Sequence, residues 1–282
     1  MHWRRASTNK SFGTAKRGDR KHGLPVTSFF MNFPEIHILE LETTDSTNRY
    51  AKDNFDVLDD CTLVSAEAQT AGRGRLGRRW FSPPGMNIYV SLVMKQIANP
   101  FYATIVSSLA VLEMLERELP RASFYIKWPN DVYADHRKIS GILCECSTTG
   151  ASIEGVIAGI GVNINLEKKE IDSIGQPAAS LKYLSGVHYD VKKLTRELAD
   201  SLAKYYAVYL HSPEALFAEW KERNYIIGRN ISLSDPTGNV RNLFIRDIAE
   251  SGELIAEENG VPCRFNCGDV TILKESPPFS NT

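Results

Sequence analysis

A run of glycine and arginine residues between Ala71 and Trp80 has the composition of an anion-binding loop. It reads Gly72-Arg73-Gly74-Arg75-Leu76-Gly77-Arg78-Arg79. Arginine offers a planar fork of donors that matches carboxylate and phosphate oxygens, and glycine lets the backbone approach a ligand closely. The run therefore predicts a loop that wraps anionic groups and becomes ordered around them. The alternative for such a run on its own is a solvated basic turn.

Four further motifs accompany this loop along the chain. They are Thr44-Asp45-Ser46-Thr47-Asn48 upstream, then Ile126-Lys127-Trp128-Pro129-Asn130-Asp131, Arg137-Lys138-Ile139-Ser140-Gly141-Ile142-Leu143 and Gly159-Ile160-Gly161-Val162-Asn163-Ile164-Asn165 downstream. In this order and spacing, the motifs resemble those of biotin protein ligases, the enzymes that activate biotin with ATP and attach it to a carrier lysine. The resemblance extends from about Ile38 to the end of the chain.

The resemblance implies a fold, a reaction and partners. The fold would be α+β, a mixed or antiparallel β-sheet covered by helices like that of class II synthetases, followed by a small SH3-like β-barrel. Biotin and ATP would react in the presence of Mg²⁺ to give biotinyl-AMP and pyrophosphate. The protein would have no structural metal. The acceptor would be a lysine on the biotin carboxyl carrier domain of a biotin-dependent carboxylase. The resemblance leaves the oligomeric state open between a monomer and a homodimer.

The resemblance also assigns the site residues. Biotin would be bound by Ser46, Thr47, Asn48, Gln69, Arg73, Gly74, Arg75 and Lys138, and the nucleotide by Arg73, Trp80, Asn130 and Asn163. The catalytic residues would be Lys138, Arg75, Lys127 and Asp131, with Asp131 also the candidate metal ligand. Taken singly, Ser46 could instead cap a helix, Trp80 could be a core indole and Asn163 a turn residue.

The implied reaction explains why several cationic side chains would lie in one site. The carboxylate of biotin must attack the α-phosphate of ATP, and two anions repel each other. Fixed cations, together with Mg²⁺, would neutralise the charge that spreads in the transition state. Lys127 and Lys138 would supply this charge together with Arg73 and Arg75.

The segment 124–140 has the pattern of a β-hairpin that brings a carboxylate next to a lysine. Asp135-His136 supplies a turn. If Tyr133 faces Lys138, Asp131 and Lys138 become diagonal neighbours on one face, about 7 to 8 Å apart and within reach of a lysine side chain. The carboxylate could then orient the ammonium or hold Mg²⁺, whereas the alternative is an ordinary surface salt bridge.

The elements that would position these motifs follow from apolar periodicity. Helices are predicted over 100–119 and 191–210, and strands over 62–67, 87–95, 124–128, 139–146 and 153–161. Short alternating runs after Ile227-Gly228 (231–233, 242–247, 253–257 and 269–273) predict the small β domain. The predicted division is a disordered basic extension over 1–35, a catalytic domain over 36–227 and a β domain over 228–276.

Charge and cysteine content limit the class of protein. The net charge is −1, yet residues 1–30 carry seven Lys/Arg against one acid, so the remainder is acidic. DNA binding is not expected, because the acidic remainder of the chain would repel DNA and only the basic tail could bind it. That tail lacks the apolar periodicity of the helix-turn-helix domain found in repressor forms of the family. No apolar run approaches the roughly 18 residues of a membrane span, and five cysteines without a secretory signal favour the cytoplasm.

Three alternatives remain open at this stage. A lipoate ligase or octanoyltransferase has a related fold, although the Gly-Arg-Gly-Arg loop and Lys-Trp-Pro-Asn-Asp favour biotin. A nucleic-acid-binding regulator would use the basic tail. A four-thiolate zinc site would combine Cys144, Cys146, Cys263 and Cys267, although these spacings fit no common zinc pattern.

Overall fold

A seven-stranded mixed sheet forms the main layer of the protein, in a computed structural model that describes residues 33–234, 238–266 and 271–275. Its strands are β1 His37–Thr44, β2 Thr62–Gln69, β3 Ile88–Met94, β4 Phe124–Lys127, β5 Asp131–Ala134, β6 Arg137–Thr149 and β7 Ser152–Val162. Their order across the sheet is β1-β2-β3-β7-β6-β5-β4. Strands β1 and β2 are parallel, and the other neighbouring pairs are antiparallel.

Helices pack on this sheet, and the two long ones bury extended rows of apolar side chains. The helices are α1 Thr47–Asp53, α2 Pro100–Glu118, α3 Lys168–Asp172, α4 Leu181–Ser185, α5 Val191–His211 and α6 Pro213–Glu222. Helix α2 begins with Pro100, and the Asn99 side chain accepts a hydrogen bond from the Phe101 backbone N–H. It packs on β6 and β7 and against α5. The buried Trp220 indole of α6 donates to Ser108 Oγ of α2, which joins the helical layers.

A smaller antiparallel sheet follows the helices. Its strands are β8 Asn230–Ser234, β9 Val240–Ile248, β10 Leu254–Glu258, β11 Val261–Phe265 and β12 Thr271–Glu275, in the order β11-β10-β9-β8-β12. Side chains alternate between buried and accessible along β8 and β10, as expected when one face covers a core. The buried Trp128 indole, in the turn after β4, donates to Gly252 O between β9 and β10 at 3.0 Å. This bond ties the small sheet to the main one.

The predicted fold class is confirmed, with a mixed sheet, covering helices and a small C-terminal antiparallel sheet. Each predicted strand of the main sheet and both predicted helices are present, and the turn at Asp135-His136 has positive φ at both residues. Strand β5 belongs to the hairpin predicted over 124–140, whereas β1 and β11 were not among the predicted segments. The proposed domain boundaries stay a prediction. Residues 1–32, Cys267 and the start of the run 269–273 lie outside the described residues.

Among the described residues, no helix combines the length and the apolar character needed to cross a membrane.

Candidate active site

A cavity of about 200 Å³ lies where the segment 72–80 meets strands β6 and β7. The start of α1 and the turn between β4 and β5 complete its walls. Most residues predicted for the site line it, namely Ser46, Thr47, Asn48, Gln69, Arg73, Gly74, Arg75, Trp80, Lys127, Asn130, Asp131 and Lys138. Motifs far apart in the sequence are therefore brought to one place, and Asn163 is the predicted residue that does not line the cavity.

Two glycines form the floor of the cavity, beneath the Trp80 ring. Gly141 of β6 and Gly161 of β7 are cross-strand partners, and the Trp80 indole lies over both. A Cβ atom on Gly161 would be 2.4 Å from Trp80 Cε2, and one on Gly141 would be 3.0 Å from Lys138 Nζ. Real Cβ atoms essentially never lie as close as the first distance, so position 161 requires glycine while Trp80 keeps its place, and a Cβ atom at position 141 would push the Lys138 side chain aside by a few tenths of an ångström.

The Trp80 indole is a wall of the cavity rather than a residue of the hydrophobic core. Its ring lies 5.5 Å from Lys138 Nζ, within the range of a cation–π contact. The Nε1 atom is buried, and no hydrogen-bond acceptor is near it in the described part of the chain. A ligand atom in the cavity could accept this hydrogen bond. The predicted stacking of Trp80 near adenine stays a prediction.

Thr47, Asn48 and Gln69 line one end of the cavity, and the buried Ser91 contacts two of them from behind; we call these four residues the head pocket. Gln69 Oε1 accepts from the Thr47 backbone N–H at 2.9 Å, and Ser91 Oγ lies 2.6 Å from Asn48 Oδ1 and 2.8 Å from Thr47 Oγ1. Thr47, Asn48 and Ser91 are almost fully buried. The polar groups are therefore fixed in position before any ligand arrives, which lowers the cost of ordering them on binding.

Ser46 is at the N-cap position of α1, as one sequence hypothesis held. However, its hydroxyl makes no capping hydrogen bond, although the residue is buried and lines the cavity. Asp45 Oδ1 instead accepts from the Ser46 backbone N–H at 2.6 Å. The Ser46 hydroxyl therefore has no capping role that would compete with a ligand contact.

Cationic side chains dominate the remainder of the cavity. Six of the described lining residues are basic (Arg73, Arg75, Arg78, Arg79, Lys127 and Lys138), and Asp131 is the one acidic residue among them. Lys138 Nζ lies 2.6 Å from Asp131 Oδ1, with both side chains largely buried, and Lys127 Nζ lies 4.8 Å from the centre of the Tyr133 ring. The predicted approach of Asp131 and Lys138 is confirmed. The cavity is electropositive in a chain of net charge −1.

The segment 72–80 folds back on itself as a narrow loop. Trp80 N donates to Gly72 O at 2.9 Å, Gly74 N donates to Arg78 O at 2.7 Å, and a single 3₁₀ turn, Arg75–Gly77, forms the tip. A second cavity of about 900 Å³ is lined by the residues from Arg73 to Arg79. The loop therefore borders both cavities. We call it the arginine loop.

The turn that joins β4 to β5 supplies an anchor for the arginine loop. Asn130 exchanges two hydrogen bonds with the backbone of Ile142, through its side-chain Nδ2 at 2.7 Å and its carbonyl oxygen at 2.9 Å. Its remaining side-chain atom, Oδ1, accepts from Arg75 Nη1 at 2.9 Å. Asn130, which was predicted to contact the nucleotide, thus holds Arg75 at the cavity.

Asn163 has a supporting position next to Lys138. Its side chain donates to Ala179 O at 3.0 Å, and Ala179 N donates to Lys138 O at 2.9 Å. Lys138 N in turn donates to Pro177 O at 3.0 Å. The segment 177–179 therefore fixes the Lys138 backbone. The adenine contact predicted for Asn163 stays a prediction.

Sequence reasoning missed two polar residues beside the cavity, Ser91 and Glu145. Ser91 is the one strongly polar residue in the otherwise apolar segment Ile88–Met94. Glu145 lies between two cysteines on β6 and accepts from Asn48 Nδ2. A single polar side chain inside a largely apolar strand indicates a specific contact, because burying a polar group costs free energy unless it has a hydrogen-bond partner.

In the described part of the chain, no group of three or more His, Cys, Asp or Glu side chains could hold a metal ion. Cys61, Cys144, Cys146 and Cys263 form no disulfide bonds. Burial raises the pKa of the Cys61 thiol to about 12, with a further contribution from the Asp60 carboxylate, so this thiol stays protonated. The fourth member of the zinc hypothesis, Cys267, lies outside the described residues.

The chain is similar to known proteins along most of its length. Residues 40–163 match the model of the biotin/lipoate A/B protein ligase family. The bifunctional ligase/repressor BirA of Salmonella typhimurium is 31% identical over 264 residues, which is 89% of this chain and 81% of that protein. The biotin–[acetyl-CoA-carboxylase] ligase of Paracoccus denitrificans is 32% identical over 224 residues, covering 76% and 92%.

Solved structures agree with these relatives. The biotin protein ligase from Aquifex aeolicus in complex with biotin and ATP has a TM-score of 0.73 and 25% sequence identity, over 85% of this chain and 99% of that one. Together with the site geometry, these similarities establish that the chain belongs to the biotin/lipoate A/B protein ligase family, among its biotin protein ligases.

Proposed function

We propose that this protein is an ATP-dependent biotin protein ligase. In the first reaction, a carboxylate oxygen of biotin attacks the α-phosphorus of ATP, the bond to the β-phosphate breaks, and biotinyl-AMP and pyrophosphate form. In the second, the amine of a lysine attacks the activated carbonyl carbon, AMP leaves, and the amine loses a proton. The observation that carries the proposal is a fixed polar pocket directly beside an electropositive cavity.

The head pocket favours biotin over lipoate. Biotin has a ureido ring with two N–H donors and one carbonyl acceptor, whereas the dithiolane ring of lipoate has no comparable groups. Thr47, Asn48, Gln69 and Ser91 offer hydrogen-bonding atoms at this place. A dithiolane cannot use the hydrogen-bonding capacity that these buried groups keep beyond their contacts with one another, and such mismatches reduce the activity toward the poorer substrate by about 10⁴ or more.

The cationic part of the cavity suits the joining of two anions. Lys138 is fixed by Asp131 and by its own backbone contacts, and Arg75 is fixed by Asn130. Preorganised cations of this kind need no rearrangement when negative charge spreads over the phosphate oxygens. We assign Lys138 to the carboxylate and α-phosphate, Arg73 and Arg75 to the closed arginine loop, and Lys127 to the phosphates.

The residues present also fit a magnesium ion brought in with the nucleotide. Mg²⁺ in nucleotide sites is held by one or two carboxylates together with substrate phosphates and water. Asp131 is the carboxylate in position to contribute, and the ion would neutralise part of the charge on the phosphates. Because Asp131 is already paired with Lys138, its role toward the lysine does not depend on the metal.

The acceptor is proposed to be a carrier domain of a biotin-dependent carboxylase. This proposal is supported by the relative from Paracoccus denitrificans, which is named for acetyl-CoA-carboxylase as its acceptor. We propose a location in the cytoplasm, where cysteines without disulfide bonds would remain reduced.

Exchange of labelled pyrophosphate into ATP tests the first reaction. We expect exchange that depends on biotin and is at least about 100-fold slower with lipoate, because lipoate leaves the head pocket unpaired. Equal exchange with both acids, or exchange with lipoate alone, would contradict the proposal.

Another prediction concerns the arginine loop as a cover for biotinyl-AMP, a mixed anhydride that stray amines can attack. We expect Arg75→Gly to form the adenylate but to release it faster, because the variant loses the contact with Asn130 and gains backbone freedom at the loop tip. Free adenylate would biotinylate an unrelated lysine-rich protein in the same tube. Bystander labelling equal to that of wild type, with adenylate synthesis preserved, would exclude a containment role for Arg75.

A further inference from the structure

Glu145 connects the head pocket to the arginine loop. It lies on β6, and its Oε2 atom accepts from Asn48 Nδ2 at 2.8 Å and from Arg73 Nη2 at 2.7 Å. The carboxylate is mostly buried, with 21% of its side chain exposed, whereas the Arg73 side chain is 42% exposed. A carboxylate shielded in this way attracts its partners more strongly than a fully solvated one would.

The contact with Asn48 fixes the orientation of its amide. The two amide hydrogens of Asn48 are directed to Leu143 O and Glu145 Oε2, which are both acceptors. If the amide were flipped, its oxygen would face these two acceptors, so this arrangement is the favourable one. Asn48 Oδ1 is therefore directed toward Ser91 and keeps a second lone pair for a donor. A ureido N–H of biotin is such a donor.

The contact with Arg73 restrains the first half of the arginine loop. The other end of the loop reaches the same pocket through Ser82, whose hydroxyl lies 3.0 Å from both Trp80 O and Gln69 Nε2. Gln69 then bonds to Thr47, which is near Ser91 and Asn48. A continuous set of hydrogen bonds thus leads from one end of the loop, through the head pocket and Glu145, to Arg73.

We propose that Glu145 is a positioning residue that couples recognition of the biotin head to closure of the arginine loop. The coupling rests on the proposed function for the identity of the ligand. A head group that binds Asn48 Oδ1 stabilises the amide orientation that holds Glu145, and Glu145 holds Arg73 over the cavity. Binding of the head and closure of the loop thereby stabilise each other, as reciprocal coupling requires.

Variants of Glu145 separate the two contacts. Glu145→Gln keeps an oxygen that accepts from Asn48 but removes the ion pair with Arg73, whereas Glu145→Leu removes both contacts. Arg73→Gln breaks the ion pair from the other side. The matched control is Glu154→Gln on the neighbouring strand, where the side chain is exposed.

Trypsin reports on the loop directly, because Arg75, Arg78 and Arg79 are cleavage sites. We expect Glu145→Gln and Arg73→Gln to be cut at these sites about tenfold faster than wild type and the Glu154→Gln control, with and without biotin and ATP. Because the loop and the head pocket are coupled, the KM for biotin in pyrophosphate exchange should rise about three- to tenfold for Glu145→Gln and at least about 30-fold for Glu145→Leu, which also loses the contact with Asn48. Combining Glu145→Gln with Arg73→Gln should add little to the cleavage rate of either single variant.

Wild-type cleavage rates in both Glu145→Gln and Arg73→Gln would overturn the proposal, as would equal KM values for the Gln and Leu variants. If Glu145→Gln is unfolded by its melting curve, Arg73→Gln still tests the ion pair. Absence of biotin-dependent exchange in the wild-type protein would instead contradict the proposed function. The two failures can be distinguished, because tryptic cleavage of the ligand-free protein does not depend on the identity of the substrate.

Discussion

Replacing Lys138 by alanine is expected to lower the rate of biotinyl-AMP formation by a factor on the order of 10² to 10³, the usual loss when one preorganised charge contact to a transition state is removed. Two losses combine in this variant. The ammonium no longer neutralises the carboxylate and α-phosphate, and Asp131, now without its partner at 2.6 Å, adds an uncompensated negative charge to the cavity. Biotin-dependent pyrophosphate exchange measures the effect.

The matched control for this experiment is Lys182→Ala. Lys182 also forms a 2.6 Å ion pair, with Glu167, but it lies outside the cavity and its partner is exposed. We expect this control to exchange pyrophosphate at the wild-type rate, since pairs with an exposed partner contribute little. Both variants should keep the wild-type circular dichroism spectrum. If a folded Lys138→Ala variant exchanges pyrophosphate within a few-fold of wild type, the role assigned to Lys138 is wrong.

Replacing Gly159 by alanine is expected to raise the KM for biotin by about 100-fold and to lower the melting temperature, because an added methyl group in a packed site costs about 1 to 3 kcal/mol and displaces hydrogen-bonded groups. The new Cβ would lie 2.1 Å from Asn48 Oδ1 and 2.7 Å from Asn48 Cγ. Asn48 is buried and bonded to Leu143 and Glu145, so it cannot move without breaking those bonds. Steady-state exchange at varied biotin concentration measures the KM.

A double variant identifies the cause of this effect. In Asn48→Ala the three atoms that crowd the new methyl group are absent, so adding Gly159→Ala should cost little further stability. Strongly additive losses in melting temperature would show that Gly159 is required for another reason. An unchanged KM in the single variant would contradict the position given to the head pocket.

Local patterns in the sequence were sufficient to predict part of this site. The approach of Asp131 and Lys138 follows from alternation along a hairpin and from the Asp135-His136 turn, which are short-range features. The helices 100–118 and 191–211 follow from apolar spacing of the same kind. That the remaining lining residues lie around one cavity could be predicted only because the five motifs resemble those of biotin protein ligases.

What the sequence did not predict depends on contacts between distant segments. Glu145 bonds to Asn48 and Arg73, which are 97 and 72 residues away along the chain, and no periodicity encodes such a pairing. Ser91 and the contacts of Asn163 with Ala179 are similar cases. The side of a strand on which a polar residue lies can be predicted, whereas its partner depends on the order of the strands across the sheet.

Mass spectrometry tests most directly whether this cavity activates biotin. The purified protein is incubated with biotin and Mg-ATP, and the bound small molecules are then released and identified. We expect biotinyl-AMP bound to the wild-type protein, together with free pyrophosphate, and no lipoyl-AMP when lipoate replaces biotin. Lys138→Ala should hold little or no adenylate. Recovery of unchanged biotin and ATP from folded wild-type protein, or of lipoyl-AMP in comparable amount, would contradict the assignment of this cavity to biotin activation.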